Sequence, residues 1–152
     1  MCYQFAVKPY VGDFYLANKL NIRDALTYGT RLTTCLSPKV GMEIATGLTP
    51  TEDTLGKSGI IIQTDGNLTF DLSASPSVMP YFTVGGGWVN FKNFSLSHNG
   101  GSINFGSGIK FMSSNRVIFA VEAKDYIMFN AFGKGKSHNL SATVGLTYGL
   151  VK

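Results

Sequence analysis

The 152-residue chain predicts an all-β fold, an eight-stranded antiparallel up-and-down transmembrane β-barrel occupying residues 1–152 as a single domain. Three observations predict it. The first is the run from Asn139 to Leu150, which alternates without a break. Leu140, Ala142, Val144, Leu146, Tyr148 and Leu150 share one phase; Asn139, Ser141, Thr143, Gly145, Thr147 and Gly149 share the other. Such a period is a strand with one apolar and one polar face, and about 9–11 residues carry a tilted strand across a bilayer. The second is composition: 44% of residues are hydrophobic but only 14% charged, with 18 Gly, 11 Phe and 7 Tyr. Soluble domains hold about 25% charged residues. A barrel wall instead combines aromatic and aliphatic groups toward lipid with small polar groups in a tight interior. The third is the number of strand-like segments between turn signals, which is eight.

The segments fall near 4–15, 26–37, 39–49, 59–72, 80–92, 103–113, 116–128 and 138–150. The first is interrupted by Pro9. In the second, Leu26, Tyr28, Thr30, Leu32 and Leu36 oppose Thr27, Gly29, Arg31, Thr33 and Cys35. In the third, Met42, Ile44 and Leu48 oppose Gly41, Glu43, Ala45 and Gly47. In the fourth, Ile60, Ile62, Leu68, Phe70 and Leu72 oppose Gln63, Asp65, Asn67 and Asp71. The run Gly85–Gly87 interrupts the fifth. In the sixth, Ile103, Phe105, Ile109 and Phe111 oppose Asn104, Gly106, Gly108 and Lys110. The seventh sets Phe119 against Glu122 and Lys124, and the eighth closes the structure. No apolar run approaches the length of a transmembrane helix, about 18 residues.

The connections alternate in kind. Ser37–Lys39, Ser73–Met79 and Ser113–Asn115 are short or compact. Leu16–Ala25, Pro50–Ser58, Asn93–Ser102 and Asn130–Ser137 are mostly longer, and rich in Gly, Asn and charge. Three turns at one end and four loops at the other are what an even-stranded meander with both termini at one end requires.

Alternation alone does not say which face is inside. A soluble ligand carrier of lipocalin type has an apolar interior and a polar exterior. The charged members of the polar phase are Lys8, Arg31, Glu43, Asp65, Asp71, Lys110, Glu122 and Lys124, which is four of each sign. A solvated face needs no such balance; a dry interior does, because an unpaired buried charge is costly. An eight-stranded barrel is just wide enough to be filled by side chains. The expectation is therefore a charge network filling a polar lumen, with lipid outside. Tyr10, Tyr15, Tyr28, Tyr81, Trp88, Tyr126 and Tyr148 lie mostly toward strand ends, where they would form interfacial girdles.

Several segments, in this order and spacing, resemble the OmpA-like outer-membrane β-barrel family, small eight-stranded barrels of Gram-negative bacteria. They are Lys8-Pro9-Tyr10-Val11-Gly12, Tyr28-Gly29-Thr30-Arg31, Pro38-Lys39-Val40-Gly41-Met42-Glu43 and Pro80-Tyr81-Phe82-Thr83-Val84-Gly85-Gly86-Gly87. Gly106-Ser107-Gly108-Ile109-Lys110-Phe111, Val121-Glu122-Ala123-Lys124-Asp125-Tyr126 and Ser137-His138-Asn139 complete the set. The resemblance covers essentially the whole chain. It implies a bacterial outer-membrane location, contact with outer-membrane lipid and lipopolysaccharide, and insertion by the barrel-assembly machinery. Thr143, Gly145, Tyr148 and Leu150 are similar to the assembly signal of the last strand, with Leu150 in place of the usual aromatic. The resemblance does not take in the peptidoglycan-binding domain of some members, so cell-wall anchoring is not expected from it. No secretory signal precedes Cys2, so a barrel of this kind is expected to have lost one.

Cys2 and Cys35 fall near one end of neighbouring strands. Two free thiols are the expectation, with a disulfide open in an oxidising compartment and no lipobox to support lipidation of Cys2. The net charge of +4 is scattered rather than clustered, which argues against nucleic acid. Gly135-Lys136-Ser137 has the tail of a phosphate loop, but Asn130 stands where the pattern needs Gly and a strand follows instead of a helix. His98 and His138 lie in or beside loops without partners at metal spacing. Lipid A deacylases of this size pair Ser with His on the wall; His138 and Ser141 are three apart and so face opposite sides of a strand. A catalytic cluster of Arg31, Glu43, Lys110, Glu122 and Lys124 in an open barrel is weighed against a bracing network, which is preferred. The chain is thus expected to be a monomeric, non-enzymatic, cofactor-free barrel with a structural role in the envelope. A surface binding module acting through four loops of roughly eight to ten residues, or a narrow low-conductance pore, is the alternative.

Overall fold

Eight strands hydrogen-bond in chain order and the last closes on the first, forming an all-antiparallel barrel. In this computed structural model residues 4–72, 77–94, 98–113 and 117–151 are described. The strands are β1 (Phe5–Tyr15), β2 (Ala25–Ser37), β3 (Val40–Glu52), β4 (Ser58–Asp71), β5 (Val78–Lys92), β6 (His98–Met112), β7 (Val117–Met128) and β8 (Ser137–Val151). Among the described residues no helix is long and apolar enough to cross a membrane. The turn expected at Ser73–Met79 and the one at Ser113–Asn115 lie partly outside the described residues.

The parity read from the sequence sets the two faces. Leu26, Tyr28 and Leu32 point out while Thr27 and Arg31 are buried. Phe105 and Ile109 point out while Ser102 and Asn104 are buried. On β8, Leu140, Val144 and Leu146 are exposed while Asn139, Ser141 and Thr143 are buried. The exterior is therefore apolar, covered by large aliphatic and aromatic groups, and the Phe70 and Phe82 rings stack on it at 4.7 Å between centroids. This is the polarity of a wall facing lipid, opposite to that of a ligand carrier.

Four expectations need correction. β3 runs to Glu52 and β6 starts at His98, because Pro50↔Ile60, Thr51↔Gly59 and Phe91↔His98 continue the ladders. The connections at 53–57 and 93–97 are accordingly shorter than eight residues. β5 runs unbroken through Gly85–Gly87, paired on both sides to Asn67 and Asn104 at Gly85. A Cβ there would meet Asn67 Oδ1 and the Gly66 carbonyl, so glycine admits a close neighbour rather than ending the strand. Tyr10, Tyr81 and Tyr126 are not girdle residues. They share the phase of Lys8, Thr83 and Lys124 and point inward, leaving Tyr15, Tyr28, Trp88 and Tyr148 on the outer surface. Finally, Cys35 is disulfide-bonded and not a free thiol. The β1–β2 register brings the chain ahead of Phe5 beside Thr34, whose hydroxyl donates to the Gln4 carbonyl at 2.6 Å. Cys2 lies outside the described residues.

Pro9 does not interrupt β1, which runs unbroken from Phe5 to Tyr15 and pairs with β2 at Lys8↔Arg31 and Pro9↔Thr30, but it leaves a mark on the other edge. The β1–β8 register runs through Val7↔Tyr148 and resumes at Tyr10↔Gly145, skipping Lys8 and Pro9. A proline supplies no amide hydrogen to a ladder. The β1–β8 ladder is thus interrupted toward its turn end.

Candidate functional site

The interior is layered along the barrel axis. In the middle layer, Arg31 from β2, Glu43 from β3 and Glu122 and Lys124 from β7 meet across the lumen. Arg31 Nη1 lies 2.6 Å from Glu122 Oε1 and 3.5 Å from Glu43 Oε1. Lys124 Nζ lies 3.3 Å from Glu122 Oε1 and 3.4 Å from Glu43 Oε1. Two cations and two carboxylates thus form a ring, and all four side chains are almost fully buried. Tyr81 donates its hydroxyl hydrogen to Glu122 Oε2 at 2.6 Å, and Arg31 Nη2 donates to Thr143 Oγ1 at 3.4 Å. The Arg31 guanidinium also lies 4.4 Å from the Tyr10 ring centre.

Glycines make room for this. The Tyr10 ring occupies the place of a side chain on both Gly29 and Gly47, and the Lys8 stem lies 2.7 Å from where a Cβ on Gly145 would be. Large inward groups on one strand are seated against bare backbone on its neighbours. This explains why the polar phase is rich in glycine.

The other expected network members sit apart. Arg31 and Glu43 are diagonal rather than opposite, since the register pairs Arg31 with Ala45 and Thr33 with Glu43. Lys110 and Asp71 form a separate, mostly buried pair at 2.5 Å nearer the turns. Asp65 lies on the loop side and takes a hydrogen bond from Tyr126. Lys8 is buried beside the ring but joins none of its ion pairs. Of the strand-eight signal residues, Thr143 and Gly145 face inward, and Tyr148 and Leu150 face outward.

Two features escape a polar-lumen reading. At the loop end the interior is apolar: Phe14, Leu16, Leu20, Ile22, Ile61, Val89, Phe91, Phe94, Tyr126, Met128 and Ala131 form one buried cluster. Residues 16–24 fold over the mouth to supply part of it, pinned by Leu16 N donating to Asp24 Oδ1 at 2.7 Å and Ala17 N to Asn139 Oδ1 at 2.9 Å. The signal was present, since Phe14, Ile61, Val89 and Phe91 break the polar phase near the loop ends of their strands. At the turn end lies a cavity of about 80 Å³ lined by Lys8, Glu43, Thr69, Asp71, Lys110 and Thr147 among others.

On the outer wall, His138 Nδ1 lies 2.7 Å from Asp125 Oδ2. Ser141 is buried on the opposite face. Among the described residues no cluster of His, Cys, Asp and Glu is placed to hold a metal ion.

No family model matches the chain, and no characterised protein matches it in sequence. Solved structures do match. Neisserial surface protein A superposes with a TM-score of 0.75 at 9% identity, covering 99% of each chain. Ail, the attachment invasion locus protein of Yersinia pestis, gives a TM-score of 0.61 at 11% identity, over 97% of this chain and 100% of that one. The outer membrane enzyme PagL gives 0.58 at 16% identity, over 95% and 99%. At these identities what is shared is the fold, an eight-stranded barrel of the outer-membrane type, and that fold carries a surface protein, an attachment protein and an enzyme.

Proposed function

We propose that the protein is a monomeric integral barrel of a bacterial outer membrane, with a structural role in the envelope and a lumen closed to solutes. The observation that carries this reading is the contrast between faces. Leu, Val, Ile and Phe cover the outside, while the bore is bridged by the Arg31–Glu43–Glu122–Lys124 ring and filled by the apolar cluster above it. Lipid and lipopolysaccharide would contact the outer belt, and the barrel-assembly machinery would engage the strand containing Thr143, Gly145, Tyr148 and Leu150. Planar bilayers test closure. The folded parent is expected to give no large, steady channel and at most small, rare openings. Glu43→Gln with Glu122→Gln should raise their frequency, because the bridging charge pairs are then lost. A stable conductance of porin size from the parent would overturn the reading and favour a pore.

The binding-module alternative rests on the exposed loop lysines Lys134 and Lys136. Against it, residues 16–24 are tied down by the bonds above and offer little adaptable surface. An enzymatic reading would need a nucleophile near His138, and Ser141 on the same strand is buried on the opposite face.

A further inference from the structure

The ion ring leaves one cation over on its turn side. Arg31 and Lys124 are matched by Glu43 and Glu122, and Lys110 by Asp71. Asp65, the remaining interior carboxylate, does not line the turn-end cavity. Lys8 does, and its side chain is 4% exposed with no hydrogen-bond or ion-pair partner among the described residues. Its nearest aromatic face, Tyr81, lies 5.8 Å away from the ammonium, a long contact.

We propose that the turn-end cavity is a binding site for one small monovalent anion, a halide or a short carboxylate, seated on the Lys8 ammonium. A buried ammonium without a counter-charge is costly, and an anion beside it removes that cost. The remaining donors suit the same ligand. Lys110 holds Asp71 through one of its hydrogens and keeps others, and the Thr69 and Thr147 hydroxyls line the same space. Tyr81 contributes none, since its hydrogen is given to Glu122. Two carboxylates also line the space, but each is already compensated: Glu43 by Arg31 and Lys124, Asp71 by Lys110. A cation would meet the uncompensated Lys8. A divalent anion would exceed the single surplus charge. At about 80 Å³ the cavity holds two or three groups of water size. That fits a halide with a water or an acetate-sized carboxylate, and excludes a sugar or nucleotide.

Chloride is the probe, with the full chain folded in non-ionic detergent micelles. Chloride-35 line broadening is read at constant ionic strength, with gluconate, too large for the cavity, as the balancing anion. The parent is expected to broaden the line above the level of empty micelles, and acetate to reverse this where gluconate does not. Lys8→Met should abolish the excess broadening in protein that still folds. Thr147→Leu fills the space without touching the ion ring, and should abolish it too, so a folding failure of Lys8→Met leaves the test standing. No excess broadening from the parent, or equal broadening from the parent and either folded variant, overturns the site.

Discussion

Glu122→Gln is expected to lower the unfolding free energy by about 3–5 kcal/mol, the usual cost of breaking a buried ion pair from one side. Glu122 accepts from Arg31 and Tyr81 at 2.6 Å each and lies 3.3 Å from Lys124. Glutamine cannot supply the charge, and Arg31 would keep only one carboxylate, Glu43 at 3.5 Å. Glu43→Gln should cost less, about 1.5–3 kcal/mol, the range for a hydrogen bond to a charged group. Its contacts with Arg31 and Lys124 are longer, and both cations would retain Glu122. Urea titrations of the folded chain in detergent measure both. A double-mutant cycle of Glu122→Gln with Arg31→Met isolates the pair, and should show coupling well above the few tenths of a kcal/mol found for independent sites. Glu122→Gln unfolding at the same midpoint as the parent would mean that the ring does not brace the barrel.

The sequence and the structure part company in an instructive way. Strand existence and facing were legible because period two is a local property: Leu140 to Leu150 declares its two faces with no knowledge of its neighbours. The set of inward charges was legible for the same reason. Their pairing was not. Arg31 and Glu43 flank a turn, which suggests direct opposition, but the hairpin register places them diagonally, and the short contact of Arg31 reaches Glu122 across the lumen. Pairing across a bore depends on strand tilt and stagger, which no single strand encodes. End-of-strand position suggests girdle sites for the three inward tyrosines, but parity points them into the lumen. Tyr10, Tyr81 and Tyr126 each sit an even number of residues from a buried Lys or Thr, and parity decides the face. The apolar loop-end cluster was obscured because its members come singly from different strands, plus residues 16–24, whose inward course only tertiary packing sets.

The outer face carries the second large expected effect. Val144 lies mid-way along β8, paired with Val121 on β7 and Val11 on β1, with its side chain half exposed on the apolar outer surface. If that surface meets lipid, Arg at this depth should cost about 2–4 kcal/mol, falling to about 0–1 kcal/mol near an interface. Leu140 supplies the comparison on the same strand and the same face. It sits next to the rim, two residues from His138 on the same strand and opposite Asp125, where the wall turns polar. Val144→Arg should therefore unfold at clearly lower denaturant than Leu140→Arg when the protein is in lipid vesicles. Both variants keep the lumen intact, so a loss common to the two would reflect the arginine itself and not its depth. Spin labels at Val144 and Leu140 give an independent reading, with lipid-soluble quencher reaching Val144 and aqueous quencher gaining at Leu140. Equal costs for the two arginines, or a Val144 label quenched only from water, would show that this belt of Leu, Val and Phe does not lie in a bilayer.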